Sequence, residues 1–115
     1  MTKTVDFIFD FASPNAYLCH KVLPEIAART GVTFNYIPCL LGGIFKATGN
    51  QAPMMAFNGI KGKLDYDALE MQRFIKKHNL SKFAMNPHFP VNTLLLMRGA
   101  IAADRDGRLM DYVDA

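Results

Sequence analysis

A serine and a proline stand where a β-rich run gives way to an apolar stripe of helical spacing. Ser13-Pro14-Asn15-Ala16 follows Val5, Phe7, Ile8, Phe9 and Phe11. Serine is a favoured N-cap and proline a favoured first helical residue. The first N–H groups of a helix have no intrahelical acceptor, and the dipole is positive there. A thiolate or carboxylate placed at such a point is stabilised. Open α/β folds put ligands at the carboxyl ends of their strands. A hydroxyl at this position can donate to such a ligand. The same hydroxyl also has an ordinary use as a helix cap, and the segment by itself leaves both uses open.

Other residues carry less specific signals. Lys46 precedes Ala47-Thr48-Gly49-Asn50; a lysine there can meet an anion or simply be solvated, and Asn50 can bind a ligand or serve a turn. Gly42-Gly43 lacks the Lys-Ser/Thr ending of a phosphate loop. His20, His78 and His88 share no ligand spacing, so no metal site is expected. Asp6 and Asp10 flank the first β-rich run and read as solvated or capping. Arg98, inside an apolar helix pattern, reads as a snorkelling surface residue. Cys19 and Cys39 form no CxxC pair and read as free buried thiols.

These residues need elements to position them. Val5 to Phe11, apolar on both faces, predicts a buried central strand. Tyr17, Leu18, Val22, Leu23, Ile26 and Ala27 predict a helix from Pro14 to the stop at Gly31, kinked at Pro24. Val32 to Ile37 alternates and predicts a second strand, closed by Pro38. Strand, helix, strand makes a βαβ unit with parallel strands and a right-handed crossover. Leu40 to Gly49 predicts a short helical piece, Asp65 to Asn79 a longer helix, and Leu94 to Ala103 a last one capped by Asn92 or Thr93. Asp111 to Ala115 fits either helix or loop. Two parallel strands leave open edges, so a partner chain or more chain is expected.

Composition bounds the function. The chain has 115 residues, 50% hydrophobic and 20% charged, as in one globular domain. Disorder and a disulfide scaffold are excluded. No stretch approaches the ~18 apolar residues of a membrane span, and Val91 to Ala103 is interrupted by Arg98. Thirteen basic against ten acidic residues give a net charge of +3, spread too thinly for a nucleic-acid face. The amino-terminal residues lack the apolar run of a signal peptide, which makes a reducing cytoplasm the expected location.

One resemblance draws the motifs together. Asp6-Phe7-x-Phe9-Asp10-Phe11-x-Ser13-Pro14-x-x-Tyr17-Leu18 resembles the opening of the 2-hydroxychromene-2-carboxylate isomerases and the kappa-class glutathione transferases. Both belong to the DsbA-like branch of the thioredoxin superfamily. Leu40 to Asn50 resembles the segment after their second strand. Leu64 to Phe74, with Leu69-Glu70-Met71-Gln72-Arg73, resembles their insertion helix, and Phe89-Pro90-Val91-Asn92-Thr93 a later motif. The resemblance implies an α/β fold: a thioredoxin-like βαβ half (1–39) followed by a helical insertion (40–115). The chain would stop before the second half of the sheet, as a single partial domain. The remaining half would carry the family's cis-proline and further glutathione contacts.

The resemblance also assigns roles. Ser13-Pro14-Asn15-Ala16 stands where dithiol relatives carry Cys-Pro-x-Cys, so dithiol–disulfide exchange is not expected here. Glutathione would supply the thiol instead. Ser13 would be the catalytic residue, donating to the sulfur; Ser13, Pro14, Asn15 and Asn50 would contact glutathione. A free thiol, near pKa ~8.5, is shifted toward thiolate at a helix N-terminus. The thiolate would add to a conjugated substrate, allow rotation and ring opening, and be expelled. Lys46 would meet the carboxylate or polarise an oxygen of a small aromatic acid. The loops bearing Phe57 and Phe89 can supply apolar walls. Relatives are typically homodimers. The implied activity is glutathione-dependent isomerisation of a 2-hydroxychromene-2-carboxylate-like acid. The alternatives are a kappa-type transferase and a non-catalytic binding or dimerising module.

Overall fold

The structure is a computed structural model that describes residues 2–115. In chain order its elements are β1 (Thr4–Phe9), α1 (Pro14–Thr30), β2 (Thr33–Pro38), α2 (Leu41–Thr48), α3 (Pro53–Ala56), α4 (Lys63–Lys77), α5 (Leu94–Arg105) and α6 (Leu109–Asp114). The fold is the α/β one expected, a thioredoxin-type βαβ unit with helices after it. The strands are parallel, with Thr4 opposite Thr33 and Phe9 opposite Pro38. The chain divides into two compact units: residues up to Leu40 together with Asn86–Ala115, and Leu41–Met85. The segment read from the sequence as a helical insertion, 40–115, contributes to both. No helix among the described residues is long and apolar enough to cross a membrane.

In the first unit the pleat sends Phe7 and Phe9 to the same face as Tyr36. Phe7 and Phe9 stack at 5.8 Å, and Tyr36 meets them edge-on at 4.9 and 5.6 Å. Phe11 adds a further edge contact to Phe9 at 5.5 Å. Met97 and Ala100 of α5 and Leu109 of α6 complete this buried cluster. The expectation of a strand buried on both faces is not met. Phe9 is 5% exposed, but Ile8, pointing the other way, is 62% exposed. The β1 strand has one neighbour, β2, among the described residues, and its second face lies open. The run also leaves the sheet earlier than expected, at Phe9.

The ends of α1 are set locally. Ser13 caps the start, Pro14 takes the first helical position, and Gly31 closes the helix in the left-handed region, its N–H donating to the Ala27 carbonyl at 2.8 Å. On α5, Gly99 allows close approach of α6. A Cβ there would overlap the Tyr112 ring, lying 2.8 Å from Cζ, and Tyr112 Oη donates to the Leu96 carbonyl at 2.9 Å. Gly99→Ala is therefore expected to displace the ring and lower stability by ~1–3 kcal/mol, against the ~1 kcal/mol that alanine gains over glycine in a helix. A denaturation midpoint raised by the full alanine gain would show that Tyr112 yields at no cost.

The second unit is thinner. None of α2, α3 or α4 carries a fully buried residue. Leu64, Met71, Phe74 and Ile75 are half-buried along one side of α4. The pairs Lys63–Asp67 (2.7 Å) and Glu70–Arg73 (2.8 Å) run along that helix, and Lys76 and Lys77 sit in its last turn, where cations suit the dipole.

Candidate active site

The turn between β1 and α1 is built on Asp10. Its side chain is 2% exposed, and Oδ1 accepts from Ala12 N at 2.8 Å and from Thr93 Oγ1 at 2.6 Å. Its backbone carbonyl accepts from Ser13 N at 3.0 Å. Phe11 N is directed at Met97 Sδ, 3.4 Å away. Three consecutive N–H groups before α1 are thus fixed. Asp10 is a buried scaffold rather than a solvated residue. An aspartate reaching the N–H two residues on is a recognisable Asx turn; its second partner, on the far side of the sequence, left no local trace.

Ser13 emerges from this turn in an extended conformation (φ −91°, ψ 114°). Its Oγ accepts from Ala16 N at 3.1 Å. The hydroxyl uses a lone pair in this bond and keeps its proton to donate. Pro14 has no N–H. Asn15 N–H belongs to the first turn, where no intrahelical carbonyl is available. Ser13, Pro14 and Asn15 therefore converge at one point of positive potential, with Ser13 half-buried and Asn15 exposed. Ser13 also lines a cavity of about 260 Å³ with Phe7, Phe11, Tyr17, His20 and Tyr36.

One further feature adjoins Ser13 along the same cavity. His20 joins three elements: Nδ1 lies 2.6 Å from Tyr36 Oη and Nε2 lies 2.8 Å from Asp114 Oδ1. Burial, and then the negative Asp114, pushes the Tyr36 phenol above its ordinary range. A phenol keeps its proton at neutral pH, so Tyr36 can donate it to the imidazole. Nothing in the local sequence pattern singled out this chain of contacts, because its members come from α1, β2 and α6.

Both cysteines are free, but neither is fully buried as expected. Cys19 is exposed on the outer side of α1, and Cys39 is half-buried. Burial raises the Cys39 thiol pKa, and the Asp10 carboxylate raises it further. Since the thiolate is the reacting form, Cys39 is expected to alkylate several-fold more slowly than Cys19 with iodoacetamide near pH 8. Mass mapping of the labelled peptides checks this; equal rates would mean that Cys39 opens freely to solvent.

Lys46 and Asn50 lie in the second unit, at the end of α2 and just beyond it. Both are exposed. Asn50 N donates to the Phe45 carbonyl at 2.9 Å, and its Nδ2 donates to Thr48 Oγ1 at 3.0 Å. Thr48 Oγ1 in turn donates to the Ile44 carbonyl at 2.8 Å. The Asn50 amide is therefore oriented by the helix end.

A family model described as DSBA-like thioredoxin domain matches residues 4–115. Among curated proteins, a 2-hydroxychromene-2-carboxylate isomerase of Sphingobium xenophagum is 47% identical over 53 residues, covering 46% of this chain and 27% of that protein. One of Pseudomonas putida is 36% identical over 76 residues, covering 66% of this chain and 36% of that protein. Glutathione S-transferase kappa 1 of Caenorhabditis elegans is 40% identical over 52 residues, covering 44% and 23%. The chain spans less than half the length of these relatives. No solved structure matches significantly.

Proposed function

The chain belongs to the DSBA-like thioredoxin domain family, and from that premise we propose that it serves glutathione-dependent isomerisation of a small aromatic acid resembling 2-hydroxychromene-2-carboxylate. The observation that carries this reading is the state of Ser13: its oxygen accepts from Ala16 N while its proton remains to be donated. A dithiol relative would use two sulfurs here; Ser13 and Ala16 supply none, so the thiol must come from a bound partner.

The residues present fit glutathione. Ser13 would direct its hydroxyl at the sulfur, Asn15 would offer its backbone N–H, and Pro14 would keep the helix start rigid. When bound, glutathione supplies a thiol that adds reversibly to the substrate's conjugated system and is recovered at the end. The helix start and the Ser13 proton together favour the negative sulfur over the neutral thiol. Lys46 would attract the acid's carboxylate or polarise its oxygen, and Asn50, with its amide oriented, would hold glutathione. A homodimer in the cytoplasm is the setting in which we place this activity.

The test is a calorimetric titration of glutathione into the chain, with Ser13→Ala as control. Saturable binding weakened by the substitution supports the site; no binding by a folded chain overturns it for this chain. Lys46→Met is expected to raise KM for the aromatic acid or lower kcat by about tenfold, as for a lost charge-assisted contact, with glutathione affinity unchanged. Equal losses for both ligands would remove Lys46 from the substrate side. The kappa-type relative favours a second reading, conjugation to an electrophile. Product analysis separates the two: glutathione returns unchanged in isomerisation and appears in the product of transfer.

A further inference from the structure

Thr93 occupies the N-cap position of α5, where a threonine ordinarily accepts an N–H from its own helix. It makes no such bond. Asn92 Oδ1 instead accepts from Leu94 N at 3.0 Å. The Thr93 hydroxyl is turned away to donate to Asp10 Oδ1 at 2.6 Å. Both residues are only 2% exposed. A buried carboxyl is costly unless its acceptors are met, and this one meets Thr93 on one side and Ala12 N on the other. The same turn is anchored to α5 a second time, through Phe11 N and Met97 Sδ.

We infer that Asp10 and Thr93 are positioning residues for Ser13, tying the turn that carries the hydroxyl to the start of α5. Asp10 binds the residue before Ser13 by its side chain and Ser13 itself by its carbonyl. Any displacement of α5 at Thr93 is therefore delivered to the Ser13 hydroxyl and to the start of α1. For the thiol chemistry this inference rests on the glutathione reading; for the geometry it stands without it. The role assigned to Asp10 and Thr93 is positional and needs no contact with the thiol. Their effect on it is through the place and direction of the Ser13 O–H.

The test compares Thr93→Val, which keeps the shape and removes the hydroxyl, with Thr93→Ser, which restores it. Amide hydrogen exchange reads the geometry. In Thr93→Val, the amides of Ala12, Ser13 and Ala16 should exchange at least about tenfold faster, the factor expected of losing one hydrogen bond to a buried carboxyl. Amides of α4 should be unchanged, and Thr93→Ser should return the turn to its original rates. Thr93→Ala, which leaves room for a water, makes the same comparison should Thr93→Val fail to fold. Uniform acceleration across the chain, or none at the turn, overturns the inference. A second readout is the pH titration of the glutathione thiol by its ultraviolet absorbance. The bound thiol should titrate at higher pH in Thr93→Val, and at its original pH in Thr93→Ser. An unchanged thiol titration beside a loosened turn would leave only a structural role and overturns the positioning role. If glutathione binds neither the unaltered chain nor Ser13→Ala, the glutathione reading fails, and the amide pattern alone decides whether Asp10 and Thr93 place Ser13.

Discussion

Ser13→Ala is expected to lower glutathione-dependent isomerisation about a hundredfold or more, the loss typical of removing one donor aimed at developing negative charge. The fold should survive. The hydroxyl also caps α1 through Ala16 N, and losing a cap costs about 1 kcal/mol. Activity and stability thus separate by size of effect. Denaturation should shift slightly while turnover nearly disappears. Ser13→Thr keeps both the acceptor and the donor and should retain most of the activity if its methyl group is accommodated. Full turnover in Ser13→Ala would dismiss the hydroxyl as a catalytic group and leave it as a cap. Turnover measured with a saturating thiol at several pH values makes the assignment sharper. Without the hydroxyl the thiol should ionise at higher pH, so the residual rate should climb further into the alkaline range.

The second large effect concerns the core. Phe9→Ala removes the ring that Phe7, Phe11 and Tyr36 surround and that packs with Met97 and Ala100. The expected loss is ~3–5 kcal/mol. Whole domains are stable by only about 5–15 kcal/mol, so the first unit should lose much of its cooperative melting at ambient temperature. Ile8→Ala is the natural control. One residue away on the same strand, but exposed, it should change stability by no more than about 0.5 kcal/mol. Equal damage from both substitutions would mean that the outer face of β1 is covered in solution.

The local grammar of the chain was largely readable. Ser13-Pro14 and Gly31 delimit α1 because caps act within a few residues. The alternation of Phe34 and Tyr36 against Thr33 and Asn35 marks β2 for the same reason of short range. The parallel pairing followed from the length of the crossover. What could not be read are contacts that close over long stretches of sequence. Asp10 reads from the sequence as solvated or capping; its local bond to Ala12 N is of the capping kind, but its burial against Thr93 is not legible because Thr93 lies on another element. The spacing of His20 from the other histidines speaks only against a metal site; its contacts with Tyr36 and Asp114 leave no local trace because they come from other elements. The exposure of Ile8 was missed because a run of apolar residues shows what could be buried, not whether a layer arrives to bury it. For the candidate site, the position of Ser13 at the head of α1 came from the sequence. The three fixed N–H groups that aim it did not.

The contrast between the two thiols has a practical consequence. Cys19 stands in solvent on α1, while Cys39 is sheltered beside Asp10. A maleimide dye would therefore attach chiefly at one place, without any engineered residue. That place is six residues along the helix from Ser13, about 9 Å at the rise of an α-helix. The chain carries its own handle for an optical reporter, close enough to register a ligand arriving at the helix start and far enough to leave it unobstructed.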